Sequence, residues 1–158
     1  MKNSLKLVIA VLLPVGVGIL SGLFTARGVP GWYRTLAKPS WNPPNAVFAP
    51  VWTVLYILMG IALYLVWKSN TSMEAKKPAL MFWAGQLVLN AIWSFLFFSQ
   101  HAIGLALVEI VLLWLFILIT IFLFARISNV AAWLLVPYIS WVSFAAILNF
   151  TIWQLNKA

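Results

Sequence analysis

Trp32 to Trp52 reads WYRTLAKPSWNPPNAVFAPVW, the longest segment of the chain that is not plainly hydrophobic, and it lies between two apolar runs of membrane length. It carries Trp32, Trp41 and Trp52, the prolines Pro39, Pro43, Pro44 and Pro50, and the cations Arg34 and Lys38. A flexible tether would be rich in Gly and Ser. Here each proline fixes its own φ and pushes the residue before it out of the helical region. Bulky aromatics on so stiff a backbone describe a structured cap. Two readings of that cap stand side by side. It is an interfacial loop whose Trp and Tyr lie at headgroup level, or a lid over a binding site, since long ordered loops are often functional.

The flanks decide the class. The chain has 158 residues, 65% hydrophobic and 8% charged, with a mean hydropathy of +1.04. A soluble domain is about 25% charged, so this is an integral, multi-pass membrane protein. It has no cysteine, two acids and one His. That composition offers neither a disulfide framework nor a thiolate metal site, and it excludes a dedicated protein-ligated metal cluster and an ordinary Ser-His-Asp arrangement. The net charge is +8, but the cations flank apolar runs. They read as topology signals and anchors to anionic headgroups of the lipid bilayer, not as a nucleic-acid surface. The first run lacks an A-x-A-like cleavage site and reads as a retained helix.

The expected fold is all-α: a five-transmembrane-helix bundle with a structured loop capping one end, in a single domain over 1–158. The spans fall at about 7–26, 47–67, 78–98, 103–125 and 130–155, with the lid loop at 27–46. Each is near the ~20 residues that cross a bilayer. Gly18 and Gly22 form a GxxxG in span one, which suits close helix approach within the bundle or in a dimer. Pro78 suits a first helical turn, Ser99-Gln100-His101 makes spans three and four antiparallel neighbours, and Pro137 should bend span five. Six cations (Lys2, Lys6, Lys68, Lys76, Lys77, Arg126) lie on the amino-terminal side and four (Arg27, Arg34, Lys38, Lys157) on the lid side. This favours a cytoplasmic amino terminus, with a bacterial cell membrane as the expected location.

Depth separates the tryptophans. Trp67, Trp83 and Trp133 fall at span ends and read as an interfacial belt, and Trp153 fits the belt on the lid side. Trp52, Trp93 and Trp141 lie deeper, so that with Trp32 and Trp41 five indoles can converge on the lid-side half. Trp114 is deep, with no facing readable from sequence. Asn90, Ser94, Asn149 and Glu109 share that half, while Gln86 and Tyr138 lie nearer the other side. Asn90 and Trp93 share a helix face, as do Trp52 and Tyr56. Intramembrane polar groups are costly and need interior partners, so Glu109 should be neutral or paired to an indole, hydroxyl or amide. These groups serve as interhelical glue, or as the polar fixtures of a mostly aromatic cavity under the lid. Such a cavity would take a large, flat, apolar small molecule, with Arg27, Arg34 and Lys38 placed to meet acidic substituents.

Several motifs carry a family resemblance. The lid reads W-Y-x-x-L-x-K-P-x-W-x-P-P from Trp32 to Pro44, followed by P-x-W-x-x-L-Y at Pro50–Tyr56, N-x-x-W-S at Asn90–Ser94, W-L-L-V-P-Y-x-x-W at Trp133–Trp141 and A-A-I-L-N-F at Ala145–Phe150. Over essentially its whole length the chain resembles the TspO/MBR family, the bacterial tryptophan-rich sensory proteins and the mitochondrial translocator protein, or peripheral-type benzodiazepine receptor. The resemblance implies a five-helix bundle, commonly a homodimer, that binds porphyrins such as protoporphyrin IX and isoquinoline-carboxamide or benzodiazepine ligands under the first loop. No covalently bound cofactor is implied; the porphyrin is a ligand. Carried over by motif, the ligand-binding residues are Trp32, Tyr33, Trp41, Trp52, Tyr56, Asn90, Trp93, Trp141 and Ala145. Some bacterial members degrade protoporphyrin in light, and Trp52 and Trp141 match the tryptophans assigned to that catalytic activity. Animal members bind cholesterol through a Tyr and an Arg near the end of span five. Both are missing from Leu148–Gln154, which counts against sterol recognition there. The loose cholesterol pattern recurs at Val29–Tyr33–Lys38 and Leu58–Tyr64–Lys68, and two chance matches carry little weight.

Three functions follow from these readings: a protein that senses, sequesters or transports porphyrins, a light-dependent porphyrin-degrading enzyme, and a structural membrane protein whose aromatics only pack. No conventional acid–base constellation supports catalysis.

Overall fold

A bilayer offers backbone N–H and C=O groups no water, so an apolar run that crosses it must bond to itself as a helix. The computed structural model describes residues 2–157, which form helices and short connections with no strand among the described residues. α1 is Asn3–Gly28, continued by a π-helical turn at Val29–Tyr33; α2 is Asn45–Lys68; α3 is Met73–Ser94, continued by a second π-helical turn at Phe95–Ser99; α4 is Ile103–Ala125; α5 is Asn129–Leu134; and α6 is Val136–Asn156. Joined end to end, these give five segments long and apolar enough to span a membrane. The protein is the all-helical five-span bundle that its composition implies.

Boundaries depart from the sequence reading where backbone chemistry intervenes. Span one does not yield to a loop at Arg27. Pro30 has no N–H to give to the carbonyl one turn back, and the chain winds through the wider π turn instead of stopping. Trp32 and Tyr33 therefore sit on the end of α1, and the connecting loop shrinks from 27–46 to 34–44. α3 starts earlier than expected, at Met73, because the Ser72 hydroxyl accepts from the Ala75 N–H (3.3 Å). Pro78 consequently lies inside the helix, not in its first turn. Lys76 is buried, and its Nζ donates to the carbonyls of Trp67 (3.1 Å) and Ser69 (2.6 Å) at the end of α2. It caps a helix instead of anchoring to lipid headgroups. Near Pro137 the last span breaks outright: Leu135 (φ −90°, ψ −8°) separates α5 from α6, and Pro137 occupies the first turn of α6.

α1 and α2 make the contact that shapes the interior. Deep in the bundle they touch backbone to backbone: a Cβ on Gly60 would fall 2.5 Å from the Val11 Cα. Two turns nearer the loop end, Gly18 lies against the Tyr56 ring, where a Cβ would come within 2.5 Å of Cδ2. One turn further, a Cβ on Gly22 would meet nothing within 4 Å. The pair splays progressively toward the capped end. Of the two GxxxG glycines, Gly18 serves contact within the bundle, and Gly22 lies open.

Gly60→Val should lower thermal stability in detergent by about 1–3 kcal/mol through overpacking against α1. Gly22→Ala should leave it unchanged or raise it, since the methyl has room and Ala is the better helix former. Equal losses from both would contradict the splayed packing.

Candidate ligand cavity at the capped end

The splay between α1 and α2 leaves a cavity of ≈ 440 Å³, walled by α1, α2, the end of α3 and α6. That volume lies within the range of small-molecule sites. Its walls are largely aromatic. Trp52 stacks on Tyr56 (centroids 5.6 Å, 28°) and meets Tyr138 edge-on (6.2 Å, 71°). Trp93 stacks on Phe97 (5.2 Å, 24°), and Trp141 meets Phe48 edge-on (6.0 Å, 73°). Indoles from α2, α3 and α6 thus face one space.

Beneath it runs a chain of hydrogen bonds. The Tyr56 hydroxyl donates to Asn90 Oδ1 (2.5 Å), Asn90 Nδ2 donates to the Tyr138 hydroxyl (3.0 Å), and that hydroxyl donates to Gln86 Oε1 (2.7 Å). All four side chains are buried. Gln86 and Tyr138, which their depth assigns to the far side, are joined to the lid-side Asn90 by these bonds. Higher up, Asn149 accepts from Trp93 Nε1 (3.0 Å) and donates to the Ile103 carbonyl (3.0 Å), holding α3, α4 and α6 together. Ser21 is the polar exception on the wall: its buried hydroxyl has no partner within the protein.

The loop over the cavity is pinned at both ends. Tyr33 donates its hydroxyl to Asn42 Oδ1 (2.8 Å). Asn156, at the end of α6, clasps Ala37, accepting from its N–H (3.0 Å) and donating to its carbonyl (2.8 Å). Lys38, which the sequence aims at water or an acidic ligand group, donates instead to the carbonyls of Tyr33 and Leu36 (both 2.8 Å) and lies over the Tyr33 ring. Arg27 and Arg34 remain exposed.

Of the nine candidate ligand residues, Tyr33, Trp52, Tyr56, Trp93, Trp141 and Ala145 line the cavity. Asn90 lies below, holding Tyr56. Trp32 and Trp41 do not line it. Carried round by the π turn, Trp32 stacks on His101 (4.2 Å, 14°), whose positive φ of 55° turns the α3–α4 connection. Trp41 is exposed and meets Phe144 edge-on from above (5.8 Å).

Two further side chains depart from the sequence reading, and one agrees with it. Trp83 is core, 4% exposed, not belt; it lies three and seven residues before Gln86 and Asn90 on one α3 face, a spacing that marks it as interior. Trp133, 72% exposed, fits the belt. Glu109 is buried on α4, and both its oxygens lack a hydrogen-bond partner within the protein, so of the two expectations, neutral or paired, the pairing is not made. Trp114 donates to the Ser143 hydroxyl (2.8 Å). The α1 wall, including Gly18, Ser21, Gly22 and Thr25, and the aromatics Phe48, Phe97 and Phe98 were not foreseen. The signal was present as small residues recurring every three or four positions in α1.

Comparison with known proteins identifies the family. The TspO/MBR family model matches residues 10–154. The chain is 48% identical to the tryptophan-rich protein TspO of Chlorobaculum tepidum, over 98% of each chain. It is 42% identical to the pig (Sus scrofa) translocator protein, over 87% of this chain and 85% of that one. It is 39% identical to the tryptophan-rich sensory protein of Cereibacter sphaeroides, over 79% and 77% respectively. The chain belongs to the TspO/MBR family.

Glu109→Met should raise the unfolding temperature in detergent, because it removes a buried carboxyl with no partner while keeping a similar volume; a fall would mean that the carboxyl has a stabilising partner. Asn156→Ala should accelerate hydrogen exchange at the Ala37 amide without changing exchange in the α2 core, as the clasp is lost and the spans are untouched.

Proposed function

We propose that this TspO/MBR chain is a membrane tetrapyrrole-binding protein that senses, sequesters or transports porphyrins, with isoquinoline-carboxamide and benzodiazepine ligands using the same cavity. The observation that carries this reading is the cavity itself, in which Trp52, Trp93 and Trp141 face one apolar space from three helices. Indole faces stack on extended π systems, and a porphyrin is the flat, apolar molecule that such walls suit. The relatives' names, a translocator and a sensory protein, support movement or sensing of a ligand. The same reading takes the protein as a homodimer in a bacterial cell membrane, with the cytoplasmic amino terminus that the excess of cations on that side favours.

A second reading, light-dependent porphyrin breakdown, draws support from the stacking of Trp52 on the Tyr56 phenol, two oxidisable rings in contact at the cavity wall. Absorbance of the protein with protoporphyrin IX, dark against illuminated, separates the two. A stable bound spectrum supports binding alone, bleaching that depends on the protein supports breakdown, and no spectral change in the dark contradicts both.

Trp52→Ala and Trp141→Ala should each weaken protoporphyrin IX binding by about 1–3 kcal/mol, taking base–aromatic stacking as the scale. Trp133→Ala, exposed on the opposite side, should leave titrations of tryptophan fluorescence unchanged. Equal losses from all three would overturn the assignment of the cavity as the site.

A further inference from the structure

The cavity is closed above and open at the side. Above it, the loop is held by the Asn156 clasp on Ala37, the Tyr33–Asn42 bond and the two carbonyl bonds of Lys38. At the side, between α1 and α2, the lining residues Ile19, Gly22, Ala26, Ala49 and Thr53 are exposed, Ile19 to 66%. These positions lie within membrane-spanning segments, so their exposure is to lipid. The Tyr56 ring packed on Gly18 forms the sill of this opening, and the backbone contact at Gly60 closes the helix pair below it. Gly22, beside the sill, has open space where a side chain would stand.

We infer that ligand enters and leaves the cavity sideways, from the lid-side leaflet, through a doorway between α1 and α2 bounded by Gly22, Ala26, Ala49 and Thr53. The inference rests on the cavity being the ligand site, and it restricts the ligand to molecules that dissolve in the bilayer. Passage through the roof would require breaking polar contacts at both ends of the loop; passage through the side displaces only lipid. Small side chains at the doorway leave width for a flat molecule edge-on, and Trp52 and Trp141 stand inside it to receive the face.

The absence of cysteine makes a clean test possible. The Gly22→Cys variant is labelled in lipid vesicles with a bulky aryl methanethiosulfonate, and protoporphyrin IX binding and release are followed by tryptophan fluorescence. Labelling should slow association and dissociation together, by about tenfold or more, and a reductant should restore both, since a blocked route changes rates in both directions. The same label on Val88→Cys, on the lipid face of α3, should change neither rate. Unchanged rates in the Gly22→Cys variant once labelling is confirmed by mass, or faster dissociation on labelling, would each overturn the doorway; a thiol that resists the reagent in lipid is labelled in alkaline detergent before reconstitution. If the parent protein binds no porphyrin, the ligand assignment fails, and the doorway is judged without it. A lipid-dissolved pyrene maleimide should then label Ala145→Cys on the cavity wall, and more slowly when Gly22→Leu is added. A charged, water-soluble thiol reagent that labels the Ala145→Cys variant faster than the maleimide would overturn the doorway.

Discussion

Four side chains settle how this bundle is built: Tyr56 on α2, Gln86 and Asn90 on α3, and Tyr138 on α6. Lipid tails are as apolar as leucine, so burying hydrocarbon gives these helices little reason to choose one arrangement over another. A directed polar chain does, because each link has one geometry and an unmade link leaves a donor or acceptor in hydrocarbon. The chain fixes the depth and rotation of three helices at one level. Met59, Ile110, Leu113 and Val142 pack tightly around it, and above it the helices are free to part.

That parting makes the cavity. α1 and α2 meet through glycine at Gly60, through glycine and an aromatic ring at Gly18, and not at all at Gly22. Had the same small residues continued up the α2 face, the helices would have closed and left no space. Instead α2 turns Trp52 and Phe48 inward, α3 ends in Phe97 and Phe98, and large rings hold the walls apart. The two π turns serve the same end. Each widens the last turn of its helix, and the end of α1 packs closely on the second, where a Cβ on Gly28 would fall 2.9 Å from the Phe98 Cβ. Tyr33, Phe97 and Phe98 come over the space from there.

Much of this was legible in the sequence. Five apolar runs, the stiff loop and the depth of Trp52, Trp93 and Trp141 follow from length, proline chemistry and helical rise. What was not legible depends on rotation. Depth alone assigned Trp83 to a belt, although its spacing from Gln86 and Asn90 shows it on the interior face. Trp32 and Trp41 were grouped with the cavity because they share the loop stretch, but a π turn shifts the register by a fraction of a turn, which no residue pattern announces. The α1 wall was missed for a different reason: its residues are small, and a cavity is outlined as much by side chains that are absent as by those that are present.

The clasp between Asn156 and Ala37 joins residues 119 positions apart. Ala37 leaves the ribosome early, after the first span, while Asn156 is made only once the rest of the fifth span has been synthesised. Closing so long a loop is entropically costly on its own, so the clasp forms on a bundle that is already assembled. Throughout synthesis and insertion, then, the roof lacks its fastening at α6. Until α6 docks, the roof is held only by the local bonds of Tyr33 and Lys38, and the cavity lacks the wall that carries Trp141.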